Sequence, residues 1–307
     1  MTTDLHRARL VALLVCALWS GSCGGAAPPH VAGAPRQAGG HLLLVGGGER
    51  PPEVVELFVR LSGGSEGSIV VLPLASEESR ESGAYYQSLF GAAGAREVRV
   101  VHVDDVRDAH RREYVESIDR AGGVWLGGGD QSRITSRLLD TPLMEAIRRL
   151  LDRGGVVGGT SAGTACQSDP MLTGDGAEDR IEAGNVATAR GLGLFPGVVI
   201  DQHFVARQRQ NRLISVVLEN PTLVGIGIDE ATAIWVGPDR RRLEVVGRGT
   251  VFVFDAREAA VARHGALLGA SGVAVAVLVP GQRYDLDGVQ VDPTSGDASP
   301  PLDAGAP

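Results

Sequence analysis

Lysine is absent from this chain of 307 residues, so arginine supplies all 29 of its basic side chains. The 37 acidic residues outnumber them, and the formal net charge is −8. An acidic chain is a poor general binder of nucleic acid. The lack of lysine also excludes a P-loop, whose Gly-x-x-x-x-Gly-Lys signature needs that residue. Local clusters of arginine therefore carry more information than the total charge.

Cysteine is scarce as well. Of the three cysteines, Cys16 and Cys23 lie near the N-terminus and only Cys166 falls in the globular part. One thiol excludes an internal disulfide framework for an exported domain. We expect Cys166 to be a small buried side chain, with a catalytic thiol as the alternative.

Hydrophobic runs long enough to span a bilayer are missing, but a shorter one begins the chain. The basic start MTTDLHRARL, the apolar run VALLVCALWS and the small residues GSCGG predict a signal peptide over residues 1–23. Residues 20–23 resemble a bacterial lipobox, with Ser20 where leucine is usual and Cys23 as the lipidated residue. A cleaved, secreted protein is the alternative. Both interpretations place the domain outside the cytoplasm, in the cell envelope or beyond it.

The rest of the chain predicts one α/β domain over residues 41–291, between a Gly/Ala/Pro-rich flexible linker (24–40) and a disordered tail (292–307). Apolar runs predict strands at 41–45, 68–73, 98–103, 124–126, 156–157, 197–201, 223–228, 232–236, 243–254 and 273–279. Helical patterns cover 51–64, 82–95, 110–121, 142–153 and 208–219. This alternation indicates a mostly parallel sheet with helices on both faces. The functional site of such a sheet lies beyond the carboxyl ends of its strands.

A serine crowded by small residues follows one of these strands. Residues 155–166 read GVVGGTSAGTAC, and Gly159–Gly163 fits the Gly-x-Ser-x-Gly pattern of a nucleophile elbow centred on Ser161. The alternative is a plain glycine-rich turn between a strand and a helix. A nucleophile needs a base, an orienting acid and an oxyanion hole.

Two of the seven histidines lie downstream of the serine. His203 directly follows an apolar strand, at the same edge of the sheet as Ser161, whereas His264 lies in a polar turn without a neighbouring acid. We therefore favour His203 as the base. Asp229 and Glu230 follow another apolar strand, and either could orient the imidazole. Adjacent residues of an extended chain point to opposite faces, so one of the two is expected to face the site.

The oxyanion hole is predicted from backbone N–H groups of Ala162, which follows the serine, and of Gly128 and Gly129 in a second glycine turn. A third feature is an arginine cluster just after His203. Arg209 and Arg212 share a face at the start of a helix, and Arg207 lies in the approach to it. They suggest a pocket for carboxylates, which arginine binds bidentately. A solvated, charged helix end is the alternative.

Taken together, these motifs resemble the cyanophycinases and their relatives, the aspartyl dipeptidases. The resemblance covers roughly 41–291 and is carried by four segments in the family's order: Gly128-Gly129-Asp130-Gln131, Gly159-Thr160-Ser161-Ala162-Gly163, Asp201-Gln202-His203-Phe204 with its three arginines, and Ile226-Gly227-Ile228-Asp229-Glu230-Ala231-Thr232. The complete arginine string favours cyanophycinase, since simple aspartyl dipeptidases lack it.

The resemblance implies a fold similar to class I glutamine amidotransferases and a triad of Ser161, His203 and Glu230. It assigns six residues to the substrate pocket: Gln131, Asp201, Gln202, Arg207, Arg209 and Arg212. It implies a homodimer, a peptide substrate and no metal or organic cofactor. The expected activity is hydrolysis of cyanophycin to β-Asp-Arg dipeptides through an acyl-enzyme, with attack of Ser161 on the β-amide.

Three alternatives stay open from the sequence. Export suggests either scavenging of released polymer or a different substrate, such as another isoaspartyl or aspartyl peptide. An α/β-hydrolase esterase would share the serine elbow but use His264. An envelope lipoprotein that binds peptides without cleaving them would use the same fold with no chemistry.

Overall fold

A computed structural model describes residues 39–176 and 179–292. The predicted signal peptide with Cys23, nearly all of the linker and nearly all of the tail lie outside the described residues. The described α-helices are α1 (Pro52–Leu61), α2 (Ser79–Ala92), α3 (Arg112–Arg120), α4 (Gln131–Leu138), α5 (Pro142–Asp152), α6 (Ala162–Ala165) and α7 (Gln210–Glu219). Two short 3-10 helices cover Gly64–Glu66 and Val106–His110. No helix within the two described ranges has the length and apolar character needed to cross a bilayer.

Strands make up most of the remaining structure. In chain order they are β1 (His41–Val45), β2 (Ser68–Leu72), β3 (Glu97–Val100), β4 (Gly123–Leu126), β5 (Val156–Thr160), β6 (Met171–Gly176), β7 (Val186–Ala189), β8 (Val198–Gln202), β9 (Val224–Ile228), β10 (Thr232–Val236), β11 (Arg242–Gly247), β12 (Val251–Asp255), β13 (Ala260–His264), β14 (Leu267–Ser271), β15 (Ala274–Leu278), β16 (Arg283–Asp285) and β17 (Gly288–Asp292).

The central sheet has nine strands in the order β17-β16-β11-β10-β1-β5-β4-β2-β3. From β1 to β3 every pairing is parallel, and from β1 to β17 every pairing is antiparallel, so only β10 and β16 run against the other strands. Helices cover both faces. Residues of α1 and α2 pack on one face around Phe58, Phe90 and Trp125, while α3, α4 and α5 pack on the other. The predicted α/β class and its largely parallel sheet are confirmed.

A second sheet contains the strands β8 and β9, which lead into His203 and Glu230. It has the order β15-β12-β9-β8, with β8 and β9 parallel. One of its faces joins the core of the central sheet through Ile200, Ile226 and Val253, and α7 covers the other face. The sequence pattern did not separate the two sheets.

The clearest error of the sequence prediction is the single strand at 243–254. The structure divides it into β11 in the central sheet and β12 in the second sheet. The break falls at Gly247-Arg248-Gly249, where Gly247 has a φ of +114° and a Cβ on Gly249 would lie 2.5 Å from Thr232 Oγ1. Both glycines are needed for this turn.

Several short elements are not apparent from the sequence pattern. Helix α4 begins directly after Asp130, whose carboxylate accepts a hydrogen bond from the Ser132 backbone N–H at 2.8 Å. The glycines before it predict only a turn, although an aspartate at that position is a common N-cap. The hairpins β6–β7 and β13–β14 have short, weakly apolar strands, and their pairing is visible only in the structure.

Candidate active site

Three glycine-containing turns lie side by side at one edge of the central sheet. Strands β1, β5 and β4 are neighbours in the order β1-β5-β4, and their carboxyl ends lead into the turns at Gly46–Gly48, Ser161 and Gly127–Gly129. Parallel strands bring their ends to the same edge, which explains how segments more than a hundred residues apart meet here.

Ser161 stands on a strained turn between β5 and α6. Its φ of +52° and ψ of −114° are unusual for a residue other than glycine. The small neighbours permit a close approach: a Cβ on Gly163 would lie 2.2 Å from the Leu126 carbonyl oxygen, and one on Gly159 would lie 2.2 Å from the Gly163 oxygen. This is the geometry that the Gly-x-Ser-x-Gly pattern predicts.

His203 and Glu230 reach the serine from the second sheet. His203 follows β8, and its Nε2 lies 2.9 Å from Ser161 Oγ. Its Nδ1 lies 2.5 Å from Glu230 Oε1. Glu230 lies where the chain passes from β9 to β10, that is, from the second sheet to the central one. The structure thus brings the three predicted side chains into one hydrogen-bonded series.

Asp229 and His264 have other positions. Asp229 Oδ1 accepts hydrogen bonds from the backbone N–H groups of Val205 and Ala206, at 3.2 and 3.0 Å, so it holds the loop that follows His203. His264 is the exposed last residue of β13, opposite Leu267 in a hairpin, rather than part of a turn alone. Of the two acids and two histidines left open by the sequence, Glu230 and His203 are the ones beside Ser161.

The first glycine turn supports both partners of the serine, a role that the sequence pattern did not predict. The His203 backbone N–H donates to the Gly46 oxygen at 2.7 Å. Gly47 has a φ of +117°, and a Cβ on it would lie 2.3 Å from His203 Cε1. A Cβ on Gly48 would lie 3.1 Å from Glu230 Oε2. The sequence signal that could have indicated this role is the run Gly46-Gly47-Gly48 directly after β1.

Replacing Gly47 with alanine is therefore expected to lower kcat/KM about 100-fold or more, because a Cβ there displaces the imidazole from Ser161. Steady-state kinetics on a substrate that the parent cleaves measure the loss. Gly94→Ala is the matched control: Gly94 also has a positive φ (+89°), but a Cβ on it meets nothing within 4 Å. Equal loss of activity in both variants would show that backbone strain, not contact with His203, is responsible.

The surroundings of His203 favour the neutral, proton-accepting form of its imidazole. Burial lowers its pKa below the ordinary value of 6.5, and the hydrogen bond with Glu230 opposes this shift. The charges of Arg207 and Arg209 lower the pKa further. The base form therefore persists to lower pH than in a free histidine, and activity is lost only when the pH falls through this lowered pKa.

Removal of the Arg207 charge should raise the His203 pKa and move the acid limb of reactivity to higher pH. We expect this for Arg207→Gln, followed as the pH dependence of the rate at which a serine-directed phosphonate labels Ser161. Labelling does not depend on occupancy of a substrate pocket. The variant Arg248→Gln, which removes an exposed arginine paired with Glu49 at 3.4 Å, should leave the midpoint unchanged. A midpoint in Arg207→Gln at or below that of the parent would contradict the assignment.

The turn expected to complete an oxyanion hole lies directly against the serine. A Cβ on Gly128 would lie 3.5 Å from Ser161 Cβ. Gly129 has a φ of +135°, and a Cβ on it would lie 2.1 Å from the Ala75 oxygen, so only glycine fits. Ala162 follows the serine as the first residue of α6. The backbones of Gly128 and Ala162 thus both adjoin Ser161.

The residues predicted to bind substrate divide into two groups. Asp201 and Arg212 are 0% and 1% exposed and bind each other bidentately, with Arg212 Nε 2.6 Å from Asp201 Oδ2. Arg209 Nη1 lies 3.5 Å from the same carboxylate. Arg212 and Asp201 are thus turned toward each other where the start of α7 meets the end of β8, and their role in the substrate pocket stays a prediction.

The second group borders the serine or the loops around it. Gln202 Oε1 lies 3.4 Å from Ser161 Oγ and accepts a hydrogen bond from Arg209 Nη1 at 3.0 Å. Gln131 begins α4 and donates to the Leu172 oxygen of β6 at 2.8 Å. Arg207 is exposed. Arg212 also reaches β6, through the Gly174 oxygen at 3.1 Å, so Gln131 and Arg212 fix this strand from two sides.

Cys166 is buried, as expected, and its Sγ donates to the Gly163 oxygen at 3.4 Å. Burial raises the pKa of its thiol far above the usual range, which leaves it protonated and unreactive. Among the described residues, no group of three or more His, Cys, Asp or Glu side chains is arranged to hold a metal ion.

Comparison with known proteins places this site in a family. The model of "Peptidase family S51" matches residues 42–243, which include Ser161, His203 and Glu230. The chain belongs to peptidase family S51. A cyanophycinase from Geminocystis herdmanii is 35% identical over 253 residues, covering 80% of this chain and 93% of the relative. A cyanophycinase from Nostoc sp. is 37% identical over 222 residues, covering 71% of this chain and 74% of the relative.

The solved structures agree on the fold. A peptidase from an acI-B1 Actinobacterium superposes with a TM-score of 0.62 at 23% identity, covering 81% of this chain and 98% of that one. Membership of the family makes this S51 protein a serine-type peptidase. It therefore supports the peptidase over the esterase and over the non-catalytic binding protein that the sequence left open.

Proposed function

We propose that this S51 peptidase hydrolyses cyanophycin, the β-Asp-Arg polymer, to β-Asp-Arg dipeptides as a serine exopeptidase. The observation that carries the proposal is the series of contacts from Glu230 to His203 to Ser161, in a chain whose relatives over most of its length are cyanophycinases. The polar groups around Ser161 and His203 include Gln202, Arg207 and Arg209, which suit a substrate whose repeats carry both a carboxylate and a guanidinium.

In this proposal His203 Nε2 takes the proton from Ser161 Oγ as the oxygen attacks a carbonyl carbon. Glu230 holds the imidazole in the tautomer that accepts at Nε2 and stabilises the cation that forms. The oxyanion receives hydrogen bonds from the N–H groups of Ala162 and of Gly128 or Gly129. His203 then gives its proton to the leaving amine, and water hydrolyses the acyl-enzyme by the same route.

The bond that breaks differs from the one expected from the sequence. Attack on the β-amide would release arginine, because that amide joins the arginine to its aspartyl unit. Release of an intact β-Asp-Arg dipeptide requires cleavage of the amide that links one unit to the next. We therefore propose the inter-unit amide as the scissile bond, with the β-amide as the feature that the pocket recognises.

The six polar residues of the predicted pocket have distinct roles in this scheme. We propose that Gln202, Arg207 and Arg209 contact the substrate. Asp201 and Arg212 act as positioning residues, because they are buried and hold the start of α7 against β8. Gln131 supports the pocket through its hold on β6.

A panel of defined peptides tests the substrate assignment. It contains a short β-Asp-Arg oligomer, its isomer in which arginine is joined through the α-carboxyl and the units through the β-carboxyl, and isoaspartyl peptides in which leucine replaces arginine. Cyanophycinase activity predicts that the first is cleaved at least tenfold faster than the others. Equal cleavage of the leucine-containing isoaspartyl peptides would indicate a general isoaspartyl peptidase, the second candidate that an exported enzyme suggests.

We further propose that the enzyme acts outside the cytoplasm. The leader pattern of residues 1–23 supports export, and Cys23 is the proposed site of a lipid anchor. The homodimer implied by the family resemblance likewise stays a prediction. Globomycin sensitivity of leader processing in a bacterial host would separate a lipid-anchored protein from a secreted one.

A further inference from the structure

Arg50, an arginine outside all of the sequence motifs, lies just beyond the first glycine turn in the chain. Arg50 follows Gly46–Gly48 and is half-buried. Its Nη1 donates to the Gly48 oxygen, and its Nη2 donates to the Tyr85 hydroxyl at 2.6 Å. The guanidinium also lies over two aromatic rings, 5.0 Å from the centre of Tyr85 and 5.7 Å from that of Tyr86.

These contacts place Arg50 among the turns around Ser161. Gly48, which accepts from Arg50, also lies against Glu230. Tyr86, beneath the guanidinium, lies against the second glycine turn, because a Cβ on Gly127 would be 3.6 Å from Tyr86 Cε2. The side chain thus bridges the turn that supports His203 and Glu230 and the turn that adjoins Ser161.

Among the described side chains, Arg50 has no acidic partner. Within residues 39–176 and 179–292, no carboxylate lies close enough to form an ion pair with it, and its buried Nε has no hydrogen-bond partner. The neighbouring acids are already engaged, Glu49 with Arg248 and Glu230 with His203. An arginine held rigidly by aromatic rings and a carbonyl, but without an acid, is arranged to receive an anion.

We propose that Arg50 is a specificity-determining residue that binds a carboxylate of the substrate, held in place by Tyr85. This inference rests on the proposed function, since each β-Asp-Arg repeat carries a free carboxylate on its arginine. The planar guanidinium can bind that group bidentately, which a lysine in its place could not do. Tyr85, which is 46% exposed, fixes the plane of the guanidinium without blocking access to it.

The test compares two oligomers of β-Asp-Arg, one with free arginine carboxylates and one in which they are carboxamides. For the free acid, Arg50→Gln should lower kcat/KM about 10- to 100-fold through KM, because one charged hydrogen-bonding group is lost. Arg50→Gln and the parent should cleave the carboxamide with equal kcat/KM. Tyr85→Phe should give a smaller loss of about 2- to 10-fold on the free acid alone.

Two controls make the outcomes distinct. Arg248→Gln removes an exposed arginine near the same turn and should change neither substrate's kinetics. Phosphonate labelling of Ser161 at the parental rate shows that each variant is folded and reactive. If the parent cleaves neither oligomer, the proposed function fails and the inference fails with it. If the parent cleaves the free acid and Arg50→Gln is unchanged, or loses equally on both oligomers, only the inference is overturned.

Discussion

Ser161→Ala is expected to lower the turnover of a β-Asp-Arg oligomer by about three orders of magnitude or more while leaving the fold unchanged. The loss is large because the only atom removed is the one that forms the acyl bond. The fold is expected to be unaffected because, among the described residues, the serine hydroxyl hydrogen-bonds only to the side chains of His203 and Gln202. Alanine also accepts the same backbone conformation at no greater cost than serine.

The measurement is single-turnover kinetics with purified parent and variant, together with circular dichroism and thermal unfolding of each. His203→Ala serves as the matched control, since it should lose a comparable factor: the effects of a nucleophile and its base are not additive. Retention of more than about a tenth of parental turnover by Ser161→Ala would contradict the role of Ser161 as the nucleophile, because the acyl-enzyme cannot form without its hydroxyl.

Arg212→Met is expected to be the most destabilising substitution near the site, lowering the free energy of unfolding by about 3–5 kcal/mol. Arg212 and Asp201 are both almost completely buried, and loss of the arginine leaves the Asp201 carboxylate in a low-dielectric interior with only part of its compensation. It also leaves the Gly174 oxygen without its donor, so the β6 strand loses a support.

Urea unfolding measures this loss. Arg190→Met is the matched control, because Arg190 binds Asp140 bidentately at 2.7 and 2.9 Å but in an exposed position, and it should shift the midpoint little. The double variant Asp201→Asn, Arg212→Met should be less destabilised than the sum of the single variants. Equal shifts for Arg212→Met and Arg190→Met would show that burial does not set the strength of the pair.

Much of the central sheet could be predicted because its strands are short apolar runs between helices. Strands such as β1 and β5 are buried on both faces, so their sequences carry a simple hydrophobic signal. The elbow around Ser161 was also visible, since Gly159 and Gly163 stand at the two positions where this tight turn needs small residues. Both features depend on local sequence.

Features that depend on contacts between distant segments could not be predicted. The arginines after His203 suggest an exposed pocket because arginine is rarely buried without a partner, and the pairing of Arg212 with Asp201 is set by how α7 packs on β8. The role of Gly47 under the His203 ring likewise arises from the meeting of two sheets. Arg50 escapes prediction for the same reason, because its partners Gly48 and Tyr85 form no motif in the sequence.

The most direct test of the proposed function is incubation of the purified 24–307 protein with insoluble cyanophycin, with the soluble products identified by mass spectrometry. We expect release of β-Asp-Arg by the parent and none by Ser161→Ala. Release of free arginine, which would mean cleavage of the β-amide, would contradict the proposed scissile bond. No soluble product from a parent whose Ser161 is still labelled by the phosphonate would contradict the proposed substrate.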